Sequence, residues 1–268
     1  MFLYYNVVVA RVYAISNQKG GVGKTMTCLC LGDALAELGK RVLLVDLDPQ
    51  AGLTTAFGLS QDSFTNSIYE VLLGQVAFHE AIIKAADEVP DLVPSKVDLA
   101  GAEALLLGIE GWQSLLRKAM EEAKSYYDYI LLDCPPSLGV LTILALVAAD
   151  KVIIPVQAEF LALVGLKHLC TLIEQIKKRF NPNIEAKILR TMVDMRTLHN
   201  REVAAELERV FGPRVYKVII NKTIRFADAS YARESILKFA PDSKAAQAYR
   251  ELAKEVVKDD EEAGSARS

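Results

Sequence analysis

The sequence predicts an α/β fold: an open, doubly wound, mostly parallel sheet flanked by helices. Three observations predict it. Short β-branched runs alternate with helical patterns almost to the end of the chain. Several runs are apolar nearly throughout, as strands covered on both faces must be. A glycine-rich turn carrying two lysines joins the first run to the first helical pattern, where such sheets bind anions.

Residues 1–10 form an N-terminal extension, apolar but without a basic leader or a small-residue cleavage site, so an edge strand or unstructured chain is expected rather than a signal peptide. Strands are predicted over 12–16, 41–46, 129–133, 151–156, 187–193 and 215–220. A helix over 25–38 stops at Gly39, a residue suited to a left-handed C-terminal cap. The apolar run 137–149 is too short to span a membrane and reads as a buried helix. A helix over 166–180 is ended by Asn181-Pro182, and one over 202–211 by Gly212-Pro213. The last helix covers 243–258, with Asp242 or Ser243 as its N-cap. Residues 259–268, acidic and then small and polar, are expected to be disordered. No linker divides the chain, so 1–268 reads as a single domain.

Composition narrows the function classes. The 268 residues are 51% hydrophobic and 24% charged, enough for a core without staples and too apolar for disorder. A net charge of −3 excludes wholesale coating by acidic polymers, though not a local basic patch. Cys28, Cys30, Cys134 and Cys170 form no C-x-x-C pair and read as reduced, buried thiols. His79, His168 and His199 lack metal-ligand spacing. Trp112 reads as packing.

The sharpest motif is Gln18-Lys19-Gly20-Gly21-Val22-Gly23-Lys24-Thr25. Glycines let successive backbone N–H groups converge on phosphate oxygens, and the helix N-terminus adds positive potential. Lys24 is placed to reach β- and γ-phosphates, and the Thr25 hydroxyl to ligate Mg²⁺. The pattern departs from G-x-x-x-x-G-K-[ST] in having Gln18 for the first glycine and a second lysine, Lys19. A lysine so early in the loop need not reach its own nucleotide and could reach that of a facing subunit, as an arginine finger does in trans.

Carboxylates are expected at the C-terminal ends of neighbouring strands, where the sheet opens to ligand. Asp46, Asp48 and Asp133 fall there. Asp46 and Asp133 suit outer-sphere Mg²⁺ binding through water. The spacing leaves open whether Asp46 or Asp48 prepares an attacking water.

The motif Lys19–Thr25 resembles the deviant Walker A signature of the ParA/MinD class of ATPases. Val42–Gln50, Tyr126–Gly139, Leu99–Glu103, Pro155–Phe160 and Ala246–Tyr249 resemble the corresponding segments of ParA/Soj partition ATPases, and the resemblance covers roughly residues 11–258. It implies an ATPase using ATP and Mg²⁺, with Lys19, Lys24 and Asp48 catalytic, Asp48 positioning the attacking water, and Thr25, Asp46 and Asp133 serving the metal. It implies nucleotide contacts from Lys19, Gly20, Gly21, Val22, Gly23, Lys24, Thr25 and Met26, with Glu159, Phe160, Met192, Asn221 and Thr223 farther along. Two departures stand out. Met26 replaces a threonine, removing a hydroxyl expected at the α-phosphate, and Ile220–Phe226 departs from the family's adenine-side loop.

Between Arg209 and Arg250 there are nine basic and three acidic residues, a cationic excess in an acidic chain. Such a surface suits phosphate contacts without base readout. The resemblance implies non-specific binding of double-stranded DNA by an ATP-bound homodimer through Arg196, Lys222 and Arg225. It further implies release on hydrolysis stimulated by a ParB-type centromere-binding protein, in a cytoplasmic, nucleoid-associated setting. No separate operator-reading module is expected. Three other readings compete. A MinD-like membrane regulator needs a basic amphipathic C-terminus, and this one reads Lys258-Asp259-Asp260-Glu261-Glu262. A metal-cluster protein needs spaced thiolates. A ParA relative that positions a non-DNA cargo would share the same engine.

Overall fold

The computed structural model describes residues 10–157, 162–194 and 196–265. One sheet organises them. Its strands are β1 (Arg11–Ile15), β2 (Val42–Asp46), β3 (Asp91–Val93), β4 (Tyr129–Asp133), β5 (Lys151–Gln157), β6 (Glu185–Val193) and β7 (Val215–Asn221). The order is β3-β2-β4-β1-β5-β6-β7, and every strand pairing is parallel. From β1 the chain winds out to β2 and β3, returns to β4, then crosses β1 to β5, β6 and β7. That reversal opens a crevice at the carboxyl ends of the central strands.

The helices are α1 (Lys24–Glu37), α2 (Gly52–Ala56), α3 (Ile68–Leu72), α4 (Leu99–Leu106), α5 (Leu115–Ala119) and α6 (Val140–Ala148). After them come α7 (Ala162–Arg179), α8 (Leu198–Phe211), α9 (Arg225–Ala232), α10 (Ile236–Phe239) and α11 (Lys244–Ser265). They cover both faces, and strand alternation sorts the side chains between two cores. Val12 and Ala14 of β1, with Ile130 and Leu132 of β4, join the core shared with α4, α6 and α7. Tyr13, Ile15, Tyr129 and Leu131 point the other way, into the core under α1 and α11. Each fully buried Leu or Ile contributes about 1.5–3 kcal/mol.

Helix α1 lies very close to the sheet. A Cβ on Gly32 would stand 2.7 Å from Leu44 Cδ2, so any side chain there would displace the buried Leu44. The helix ends as expected at Gly39, whose φ is 75° and whose N–H donates to the Ala36 carbonyl at 2.8 Å. Asn181 does more than stop α7: its Nδ2 donates to the Ala149 carbonyl at 2.7 Å and so closes the end of α6. Ser243 caps α11, accepting from Ala246 N–H at 3.1 Å.

Three differences from the sequence-based expectations have physical causes. Strand β3 is three residues long between Pro90 and Pro94, too short for a periodic signal. The buried helix within 137–149 starts only at Val140, after a loop. Residues 259–265 are helical rather than disordered: α11 continues to Ser265, because its acids find the buried Lys151 and the half-buried Lys187 on the sheet. Asp260 Oδ1 accepts from Lys151 Nζ at 2.7 Å and its Oδ2 from Tyr13 hydroxyl at 2.9 Å, while Asp259 pairs with Lys187. Glu255 accepts from the N–H groups of Lys217 and Val218. At the other end, Ala10 is buried and donates to the Lys124 carbonyl, and the rest of the N-terminal extension lies outside the described residues.

Candidate nucleotide-binding site

The site grows from the turn between β1 and α1. Gly21 and Gly23 have φ of 73° and 88°, the left-handed region that side chains resist. Gly23 is the N-cap of α1, with no side-chain cap and no acid in the first turn. The orphan N–H groups of that turn therefore remain for an anion.

Three neighbouring side chains shape the loop. Asn17 anchors it to β5, donating from Nδ2 to the Pro155 carbonyl at 2.7 Å and accepting from Lys19 N–H at 3.0 Å. Gln157 Nε2 donates to the Gly21 carbonyl at 2.9 Å, and the Thr191 hydroxyl donates to the Val22 carbonyl at 2.8 Å. Two successive loop carbonyls are thereby occupied, and the N–H groups of Val22 and Gly23, which share their peptide planes, are oriented without a ligand. Such preorganisation lowers the reorganisation needed on binding.

Lys24 is buried, and its Nζ donates to the Lys19 carbonyl at 3.3 Å. Burial lowers its pKa, against the opposing pull of Asp133, Cys134 and Asp48. Nearby is a pair of fully buried carboxylates. Asp46 and Asp133 end β2 and β4 and stand opposite each other in register. Asp46 Oδ2 accepts from the Thr54 N–H and hydroxyl, both at 2.8 Å, and its Oδ1 accepts from Asp48 N–H at 3.0 Å. Burial nonetheless pushes its pKa up to about 6. Asp133 has no hydrogen-bond partner for either oxygen, and burial, then Asp46, push it well above the carboxylate range. The Thr25 side chain and Lys24 ammonium oppose that rise.

A buried acidic pair with orphaned oxygens is a place for a cation. Among the described residues no cluster of three or more His, Cys, Asp or Glu could hold a metal ion directly. The donor set fits Mg²⁺ that keeps most of its water and takes one protein hydroxyl, from Thr25.

A cavity of about 980 Å³ opens above these groups. Gly20 through Met26, Asp48, Gln50, Met192 and Thr223 line it, as do Ile220, Lys222, Phe226 and Tyr249 at the far end. The structure thus brings together most residues picked from sequence. Asp48 lines the cavity while Oδ1 accepts from Gln50 N–H at 2.9 Å, a turn that leaves the other oxygen available. Lys19, Asp46 and Asp133 do not line the cavity but adjoin Lys24 and Asp48, which do. Asn221, the exposed last residue of β7, does not line it, because strand alternation gives the inward position to Ile220. Glu159 and Phe160 lie outside the described residues. Gln157, Asn17, Thr191 and Thr54 were missed as site residues; only Gln157 carried a signal, lying inside a family-like segment.

The three basic residues expected at DNA lie at adjacent strand ends, since Lys222 N–H donates to the Val193 carbonyl at 3.0 Å. Arg196 is exposed and clasps Asp194 through two guanidinium nitrogens at 2.8 and 2.7 Å. The clasp holds Asp194 at a pKa of about 2, with a smaller contribution from Lys222. Arg225 is exposed at the start of α9. The wider basic segment is less cationic than its sequence. Arg209, Lys238 and Arg250 pair with Glu206, Asp33 and Glu37, all from outside it. Trp112 packs against the core and all four cysteines are free, three of them buried. His79 and His168 are exposed, and the His199 side chain lies outside the described ones.

Known proteins resemble the chain over most of its length. The AAA domain family matches residues 10–186. The sporulation initiation inhibitor protein Soj of Bacillus subtilis is 41% identical over 250 residues, spanning 93% of this chain and 99% of Soj. The chromosome partitioning protein ParA of Caulobacter vibrioides is 40% identical over 250 residues, 92% of this chain and 94% of ParA. Among solved structures, the cobyrinic acid a,c-diamide synthase of Mycobacterium smegmatis, with bound ATP analogue and magnesium, superposes with a TM-score of 0.82. It is 40% identical, and the match covers 93% of this chain and 95% of that one.

Proposed function

This chain belongs to the ParA/Soj family of partition ATPases, and we propose that it is an ATP-driven switch that segregates DNA. ATP with Mg²⁺ occupies the 980 Å³ cavity. The phosphates lie on the N-terminus of α1, with Lys24 against the β- and γ-phosphates. Asp46 and Asp133 hold water of the metal shell, and Thr25 ligates the ion. When bound, Mg²⁺ neutralises phosphate charge during transfer. Asp48 positions the water that attacks the γ-phosphate. Lys19 reaches the phosphates of a second subunit, so ATP favours a face-to-face homodimer by binding it better than the monomer.

Lys222 supports a link from nucleotide to DNA. It lines the cavity and also acts on the Asp194–Arg196 pair. A dimer would double this patch, and phosphate contacts from Arg196, Lys222 and Arg225 would give affinity without sequence preference. Hydrolysis, stimulated by a ParB-type partner, returns the subunits to free monomers. Asp259 and Asp260 commit the last described turns of α11 to the sheet through Lys187 and Lys151.

The observation that carries the reading is the preoriented loop with buried Lys24 beside the Asp46–Asp133 pair. Lys24→Ala tests it by equilibrium ATP binding. The expected loss is about hundredfold or more, the worth of a buried charge-assisted phosphate contact. Affinity within a few-fold of wild type would remove the phosphate loop from the account.

A further inference from the structure

We propose that Gln157 is a latch that holds Lys19 in its own subunit and yields it to the facing one; this rests on the trans role of Lys19 proposed above. Gln157 is the last residue of β5, at the carboxyl end of an interior strand between β1 and β6. Its Oε1 accepts from Lys19 Nζ at 3.0 Å. Its Nε2 donates to the Gly21 carbonyl and approaches Met192 Sδ, both at 2.9 Å. The amide orientation is settled by its neighbours. Flipped, it would set an NH₂ group against an ammonium and an oxygen against a carbonyl, two donor or acceptor clashes at once.

One side chain therefore ties together three things that nucleotide binding must change. It holds the second lysine, the loop carbonyl that faces away from the phosphates, and a methionine in the cavity lining. Met192 has a φ of 51°, a left-handed backbone unusual for its residue type, and its Cε lies 3.7 Å from the Cβ position of Gly23. A ligand that shifts the loop moves the Gly21 carbonyl and the Lys19 anchor together.

The chemistry of the latch suits release. An amide oxygen is a neutral acceptor, so it orients the ammonium without neutralising it. Phosphate oxygens, which are charged, compete well for the same donor. A carboxylate at position 157 would hold Lys19 more tightly and would repel the Gly21 carbonyl. Glutamine gives retention in the monomer with surrender in the dimer.

Opposite substitutions should therefore move dimerisation in opposite directions. The test measures the monomer–dimer midpoint of the full chain with saturating non-hydrolysable ATP analogue and Mg²⁺, alongside analogue affinity of the monomer. Gln157→Ala should lower the midpoint by about fivefold, since the bond from Lys19 to the Gln157 amide no longer has to be broken. Gln157→Glu should raise it by a similar factor. Both should weaken monomer affinity, because both lose the bond to the Gly21 carbonyl. In a Lys19→Ala background, Gln157→Ala should leave the midpoint unmoved. Shifts of the same sign in both variants, or none, overturn the latch while leaving the trans lysine intact. A wild type that never dimerises, or a Lys19→Ala chain that dimerises like wild type, removes the trans lysine and the latch with it.

Discussion

Replacing Asp46 by asparagine should stabilise the nucleotide-free protein at neutral pH while weakening its hold on Mg²⁺ and ATP. Asp46 is fully buried and its pKa is about 6 in the fold, against about 3.9 in an unfolded chain. The folded state thus binds the proton more tightly. Between about pH 4 and pH 6 the native protein carries more protons than the unfolded one, so stability falls as pH rises through that window. Above pH 6 the full penalty is present, on the order of 3 kcal/mol for a gap of about two units. Asparagine carries no charge and escapes it. The substitution keeps one acceptor oxygen, enough for the two bonds from Thr54, and places an NH₂ against Asp48 N–H, losing a bond of about 1 kcal/mol. The net gain at pH 7 is about 2 kcal/mol, or a rise in Tm of roughly 4–8 °C for a chain of this size. Relief of the facing Asp133 adds in the same direction. Thermal unfolding without nucleotide or metal, at pH 7 and at pH 4.5, tests the argument. The gain should vanish at the lower pH, where Asp46 is already protonated. A variant less stable than wild type at pH 7, or a difference independent of pH, would refute the idea that this carboxylate is held in an unfavourable site for the sake of a cation.

Two further outcomes follow from the geometry. Asp48→Ala should retain ATP binding and the ATP-bound dimer but slow hydrolysis about hundredfold, read as phosphate release; normal turnover would place the water-positioning group elsewhere. Asp260→Ala should leave Lys151 and the Tyr13 hydroxyl without their buried partner and destabilise the fold by about 3 kcal/mol, measured by urea unfolding; an unchanged midpoint would mean that the end of α11 is not anchored.

Much of this fold is legible in the sequence because its strands are central. A strand buried on both faces must be apolar, so 129–133 could be read residue for residue, and the others within two residues at either end. Edge strand β3 escapes because three residues between prolines have no period. The tail misleads for a different reason. Its acids look solvated in isolation, and the cations that bury them, Lys151 and Lys187, stand more than seventy residues away. The same division runs through the site. The glycines, Lys24, Asp46 and Asp133 are local in sequence and were found. Gln157, Asn17 and Thr191 act only through proximity in space, and nothing in a single sequence marks a glutamine as a hydrogen-bond bridge. Lys222 shows both sides: its charge was visible, while its place in the cavity wall came only from the packing of β7 beside β6.

The most direct test of the central claim is binding to random-sequence duplex DNA with ATP, with ADP and without nucleotide, over a salt series, for wild type and Arg225→Glu. The wild type should bind only with ATP and ever more weakly as salt rises, and the variant should bind little although it still dimerises with ATP. Equal binding in all three nucleotide states, an unaffected Arg225→Glu, or no binding at all would contradict a nucleotide-gated DNA switch and leave an ATPase that works on another track.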